Sequence, residues 1–580
     1  MKSRQQRELA QQVLSREVGY VRKPHAGRLR VALIFPNTYF VGMSNLGFQT
    51  MYRLFNDQPD IVCERAFLPP KQELAALRDA GTRIVTLESQ TAVSEFDVIA
   101  FSVSFEWDYT NVLTMLRLAG VPVRAADRDY THPLVVIGGA VTFVNPEPLA
   151  PFADVIAAGE GEALVPALLD AFGTSSRSEQ LRRLAQQRGY YIPSFYDVEY
   201  ADNGTIARFV PREGTGAPPI VRKAALKTTD AVDPPSTSIF TPDTEFGSRF
   251  LVEVVRGCAN LCRFCWAGYN YLPVRAFPAD RILDLARAAR AHSSRAGLVS
   301  IALCDHPEIE RILRSLKDMG YSISPASLRL DDLTPTIVSL LQERGERTLT
   351  IAPETGSDRL RRVINKTITN EEILDRAELI FSSGIESLKL YYMIGLPTED
   401  DADLVAIRDL TMQLHAIMLK HARKRGRIGR IVASVNPLVP KPGTAFQWLP
   451  MTVADEIERK MKRMRALVSG IDNVYFNIKS ERHSYYQALL SLGDRRIAPA
   501  IELAEANGGQ WRKAVADAGI DGDFYIYRDR SADAVLPWSI IDGGMKEPFF
   551  RAELDKSTRA EWTLPPKRAK ENARLLPILS

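Results

Sequence analysis

Three scarcities narrow the reading at once. No long hydrophobic run exists: the longest apolar stretch, 134–144, is broken by Gly138 and Gly139 and is far shorter than the ~18 residues of a spanning helix. No membrane span is expected. Net charge is low, +4 from 74 Lys and Arg against 70 Asp and Glu in 580 residues, so no global attraction to a polyanion is written into the chain. Cysteine is rare, five in all. An odd, clustered set cannot be the disulfide framework of a secreted domain. Residues 1–30 are polar and lack the apolar segment of a secretory signal, so the expected location is the cytoplasm.

What is present is ordinary globular material, 45% hydrophobic and 25% charged. The length predicts three to four domains at about 150 residues each. From 30 to 172 short apolar runs (30–35, 60–64, 97–104, 134–137) alternate with helical patterns (48–56, 71–80, 111–119, 162–172). That alternation predicts a doubly wound parallel sheet with ligands at the carboxyl edge of its strands, along 36–45, 102–108 and 138–143. Residues 173–245, rich in Gly, Pro, Ser and Thr, read as a connector with a small strand pair. From 246 to 449 strands at 250–255, 299–303, 322–328, 348–352, 387–393 and 430–435 alternate with helices at 309–319, 334–343, 370–382 and 400–419. Six strands fall short of a closed eight-stranded barrel and predict a partial one. The remainder, 450–580, is a mixed, mainly helical accessory region.

Two cysteines are scattered, Cys63 and Cys304; the others, Cys258, Cys262 and Cys265, lie in one loop after the strand at 250–255. Soft thiolates at spacings of four and three suit an iron–sulfur cluster or zinc. In the zinc alternative, Cys304 or His306 supplies a fourth tetrahedral ligand. In a third reading the cysteines are inert core residues.

The pattern C-x3-C-x-aromatic-C, with Phe264 at the aromatic position, at the end of the first strand of a partial α/β barrel resembles the radical S-adenosylmethionine (SAM) superfamily. The resemblance implies a [4Fe-4S] cluster on Cys258, Cys262 and Cys265 whose open iron chelates SAM, and reductive cleavage of SAM to methionine and a 5′-deoxyadenosyl radical. It also implies an external electron donor of flavodoxin or ferredoxin type, and SAM contacts at strand ends: Glu354 for the ribose, Arg329 for the methionine part, and Gly395 to Pro397 for the adenine. The segment 437–448, with its Pro-Lys-Pro, resembles the piece that closes the barrel in related enzymes.

The N-terminal domain, through Gly138-Gly139, Asn145-Pro-Glu-Pro and Gly159-Glu-Gly-Glu162, resembles the cobalamin-binding type that precedes many radical SAM barrels. The chain as a whole is similar to fused proteins of that kind whose activity is unassigned. The Asp-x-His-x-x-Gly motif that gives cobalt a histidine is absent from 37–47. A cobalamin-dependent radical methyltransferase is one reading of the function. Radical methylthiotransferases carry a second cysteine triad in this domain, where this chain has Cys63 alone. From a different class, a non-catalytic zinc- or RNA-binding protein is the competing reading, with the basic run 420–430 as its candidate RNA contact. The substrate is not legible.

Overall fold

The structure is a computed structural model in which residues 3–172, 176–325, 330, 333–342, 347–531 and 533–563 are described. Among them, β1 (Leu29–Phe35), β2 (Ile61–Phe67), β3 (Val98–Ser102), β4 (Leu134–Gly138), β5 (Val155–Ala157) and β6 (Tyr190–Tyr191) form one sheet in the order β2-β1-β3-β4-β5-β6. The first five are parallel and β6 is antiparallel to β5. This is the expected doubly wound sheet. Val31 to Phe35 are buried without a break, as a central parallel strand covered on both faces requires. Helix Leu46–Asn56 shows why the covering helices form. The Asn45 side chain caps it by accepting the Phe48 N–H at 2.9 Å. Phe48, Tyr52 and Phe55, four and three residues apart on one face, are buried, each worth about 1.5–3 kcal/mol. Strand order reverses between β1 and β3, which opens a crevice at their carboxyl ends.

The connector holds an antiparallel pair, β7 (Tyr196–Tyr200) and β8 (Ile206–Pro211), and a short β9 (Val221–Arg222). Then follow β10 (Phe250–Arg256), β11 (Arg275–Ala276), β12 (Arg295–Ser300), β13 (Ser322–Pro325), β14 (Thr348–Glu354), β15 (Ser387–Ile394), β16 (Ile431–Pro437) and β17 (Val474–Ile478). Among the described residues they make two four-stranded sheets, β11-β10-β12-β13 and β14-β15-β16-β17. The six expected barrel strands are β10 and β12 to β16. A further parallel strand, β17, comes from the accessory region and pairs with β16 from Ile431↔Val474 onward.

The accessory region is otherwise mainly helical and packs on both preceding parts. Glu505 accepts bonds from Arg78, Thr114 and Arg117 beside helix Tyr109–Ala119. Asn145 donates to the carbonyls of Ser491 and Gly493. β18 (Ile541–Asp542) pairs with β9. One contiguous core runs from the N-terminal sheet through the barrel into this region, and a second fills the other face of the N-terminal sheet.

The basic run is not a free connector. Its first six residues complete helix Asp401–Arg425, which Gly426 ends at φ +71°. Lys420 and His421 bind Glu378, Arg425 donates to the Phe381 carbonyl and Arg427 pairs with Glu386. Among the described residues no helix is long and apolar enough to cross a membrane.

Candidate active site

β10 runs into Gly257, whose φ of +94° turns the chain where a side chain would strike the Tyr271 carbonyl; only glycine adopts this without strain. The cysteine loop begins there. Cys258 and Cys262 are buried and Cys265 half-buried. The loop has little ladder of its own, apart from the Cys265 N–H bonded to the Cys262 carbonyl at 3.0 Å. It is held from outside: the Tyr269 hydroxyl donates to the Leu261 carbonyl, and the Asn365 amide donates to the carbonyls of Asn260 and Leu261.

The three thiols act on one another and on the same two charges. Burial pushes the Cys262 thiol up to about 12, with the neighbouring Cys265, Cys258 and Glu354 adding to it and Lys366 opposing. Burial also raises Cys265, opposed by the Gly268 N–H facing its sulfur and by Lys366. A nearby positive charge favours the thiolate form of such thiols, and Lys366 supplies one. Among the described residues no trio of His, Cys, Asp and Glu converges closely enough for a single metal ion.

Glu354, at the end of β14, has the left-handed φ of +65°. Arg361, fully buried, fixes that turn by donating to the carbonyls on either side, Pro353 and Thr355. The Glu354 carboxylate lies 3.4 Å from Lys366. Burial works against the Lys366 ammonium, but Glu354, Cys262 and Cys258 together hold its pKa above the usual lysine range. Lys366 is the residue that sequence reasoning missed. Its signal was faint: one lysine, twelve positions after a strand-end glutamate, in a segment that reads as plain helix and turn.

Gly395 follows β15 at φ +75°. Its N–H donates to Glu399 at 2.7 Å, and Lys460 bonds the same carboxylate at 2.6 Å. The Gly395 to Pro397 turn is therefore braced from below. Phe264 is partly buried against the core. Arg329 lies outside the described residues.

Cys304 is half-buried and packs on the core. His306 is buried with both ring nitrogens in use, Nε2 on the Phe277 carbonyl at 2.8 Å and Nδ1 accepting the Glu308 N–H at 3.0 Å. It is a satisfied core histidine, not a spare ligand. Cys63 is buried in β2.

A cavity of about 510 Å³ lies between the carboxyl edge of the N-terminal sheet and the mouth of the barrel. Its apolar depth is walled by Leu33, Ala100, Val136 and Leu164, and its rim includes Asn45, Ser104 and Gly139; Glu253, Arg256, Gly257 and Ser300 face it from the barrel. Gly257, one of its lining residues, immediately precedes Cys258, and none of the three cysteines themselves lines the cavity. Arg256 ties the two parts together, binding Glu253 of its own strand and Glu160 and Glu162 of the N-terminal domain. Among the described residues that line the cavity none is histidine.

Two family models match the chain: "Radical SAM proteins, N-terminal" over residues 47–193 and "Radical SAM superfamily" over residues 252–411. An uncharacterized protein of Methanocaldococcus jannaschii is 27% identical over 480 residues, 82% of this chain and 91% of its own length. An uncharacterized methyltransferase of Pyrococcus horikoshii is 24% identical over 290 residues, 47% of this chain and 56% of its own. Among solved structures, the radical SAM methyltransferase TsrM from Kitasatospora setae, bound to tryptophan and a SAM analog, aligns with a TM-score of 0.49 at 12% identity, covering 84% of this chain and 99% of that one.

A cysteine triad at the end of the first strand of a partial barrel, preceded by a doubly wound domain, defines a radical enzyme with a fused N-terminal domain. The chain belongs to the radical SAM superfamily.

Proposed function

We propose that Cys258, Cys262 and Cys265 hold a [4Fe-4S] cluster and that the chain cleaves SAM reductively to begin radical chemistry on its substrate. The observation that supports this is the spacing of the three cysteines in one loop directly after β10, with the Glu354 carboxylate at the end of β14 paired at 3.4 Å with Lys366, whose charge acts on the Cys262 and Cys265 thiols. When bound, the cluster supplies one electron to SAM, whose sulfur–carbon bond to the 5′ carbon breaks to give methionine and the 5′-deoxyadenosyl radical.

The chain's own residues do the rest. Lys366 offers a positive charge to the SAM carboxylate, Glu354 accepts from the ribose hydroxyls, and the braced turn at Gly395 to Pro397 presents backbone to the adenine. Phe264 packs beside the cluster. The electron comes from an external donor of flavodoxin or ferredoxin type.

A second reading, cobalamin-dependent methyl transfer, is favoured by the cavity. It sits at the switch point of a doubly wound sheet, is walled by apolar residues of that sheet, and reaches Gly257, the residue before Cys258. A cobalamin held there would be contacted by the walls at Leu33, Ala100 and Val136 and the polar groups of Asn45 and Ser104, with no histidine among the described lining residues.

Anaerobic reconstitution with iron, sulfide and cobalamin, followed by addition of SAM and a one-electron reductant, tests both. About four irons per chain and release of 5′-deoxyadenosine or a methylated product are expected, with cobalamin taken up as seen in its visible spectrum. A redox-silent metal in place of iron, with SAM left intact, would sink the first reading; iron without cobalamin uptake would sink only the second.

A further inference from the structure

Arg263 stands between Cys262 and Phe264 and is completely buried. Its Nε donates to Glu553 at 3.0 Å, and its other nitrogens donate to the carbonyls of Arg362, Val363 and Glu561 at 2.6, 3.0 and 2.9 Å. Glu553, on helix Glu547–Thr558, is also completely buried. It accepts the Thr563 hydroxyl at 2.5 Å and the Lys556 ammonium at 3.0 Å.

A second tie ends on the same tail. Asn365, at a left-handed φ of +54°, donates its amide to the carbonyls of Asn260 and Leu261, each at 3.2 Å, and accepts the Thr563 N–H at 2.9 Å. The next residue is Lys366.

We infer that residues 547–563 are a clasp for the cluster site: through Arg263 and Asn365 they fix the cysteine loop and turn Lys366 toward the thiols. The inference rests on the assignment of the three cysteines as cluster ligands. Its physical basis is that the loop has few backbone bonds, Cys265 N–H to the Cys262 carbonyl and Arg263 N–H to the Ile364 carbonyl at 2.9 Å, so the placement of its sulfurs depends heavily on its side-chain anchors. A buried ion pair adds little net stability on its own, because desolvation offsets its Coulomb gain, but it specifies one geometry. Here the geometry specified is that of the loop. Glu553 and Asn365 are positioning residues, and the C-terminal tail gains a task that its sequence does not announce.

The test uses the full chain, reconstituted anaerobically, as wild type, Glu553→Gln and Asn365→Gly. The second variant keeps the left-handed turn and removes only the side-chain bonds. Measured are iron and sulfide per chain, the rate at which a ferrous chelator strips iron, and the electron paramagnetic resonance of the reduced cluster before and after SAM. Far-UV circular dichroism and melting of the iron-free chains report folding separately. Both variants should fold and load, then lose iron roughly 10–100-fold faster, the usual cost of removing a supporting contact at a metal site. Asn365→Gly should also lose the spectral change on adding SAM. If the wild type loads and both variants hold iron at its rate, the clasp is overturned while the cysteine assignment stands. A wild type that takes no iron overturns the cysteine assignment, and the clasp with it. Should Glu553→Gln be insoluble, Asn365→Gly decides by the same rate.

Discussion

Glu354, Cys262 and Cys258 hold the half-buried Lys366 above the usual lysine pKa range, against the pull of burial. Replacing Lys366 with Met removes that charge and leaves the half-buried Glu354 without this counterion. A charged hydrogen bond is worth about 1.5–3 kcal/mol, so SAM affinity of the reconstituted Lys366→Met enzyme should fall about 10–100-fold by equilibrium binding; unchanged affinity would remove Lys366 from the site. Asp108 offers a test by pH. Burial raises its pKa from 3.8 to about 6, while the amides of Asn37 and Asn111 work against the shift. The folded state thus keeps a proton that the unfolded state has already released. Stability falls as pH rises from about 4 to 6 and stays lower above, by on the order of 2–3 kcal/mol. Asp108→Asn keeps the acceptor oxygen and removes the ionisation. Its melting temperature should exceed that of the wild type by a margin that grows from pH 5 to pH 7 and then levels; a constant margin refutes the burial effect.

At the scale of elements, strands with one continuous apolar run were legible, and β1, β10 and β15 lie within a residue or two of expectation. β12 was not. It spans Arg295–Ser300, whereas the more apolar stretch at 299–303 drew the expectation. Ala296 and Gly297 are too small to mark a strand, and Ile301 serves the cavity rim instead. β17 was missed because only one side of it is buried, alternately, in a segment between two helices. The cysteine triad and Glu354 could be singled out because the features that mark them, the cysteine spacing and the place at a strand end, are local in sequence. Lys366 and Glu553 could not, since their partners are set by distant parts of the chain. One turn is expected to be especially intolerant. Gly139, at φ +103°, leaves no room for a side chain against the Val103 backbone. Gly139→Ala should cost about 1–3 kcal/mol in strain alone, seen as a lower urea midpoint with the slope unchanged. A midpoint equal to the wild type would contradict the packing at the cavity rim.

Over the whole molecule, the accessory region binds the N-terminal domain and the barrel at once. Lys441 of the Pro-Lys-Pro segment joins Glu106, after β3, and Ser491 in one buried cluster. Glu505, itself buried, gathers two half-exposed arginines and Thr114. Solvent screening makes the exposed arginines worth less than a buried pair, so Glu505→Ala should lower stability by about 1–2 kcal/mol. Because the core is continuous, the loss should appear as a shift of a single melting transition by calorimetry. A separate early transition would show that the parts unfold on their own.

The clasp also has a consequence for the making of the protein. Arg263 and its anchor at Glu561 lie 298 residues apart, so at 5–20 residues per second the ribosome delivers the second roughly 15–60 s after the first. Throughout that interval the cysteine loop has its ties to Tyr269 and, later, Asn365, but none to residues 547–563. With a cluster on those cysteines, as proposed, iron and sulfide delivered during synthesis would meet a loop without its clasp; delivered after release, they would meet one that has it. The order of translation would thereby give the cell a window for loading the site, which helix Glu547–Thr558 closes.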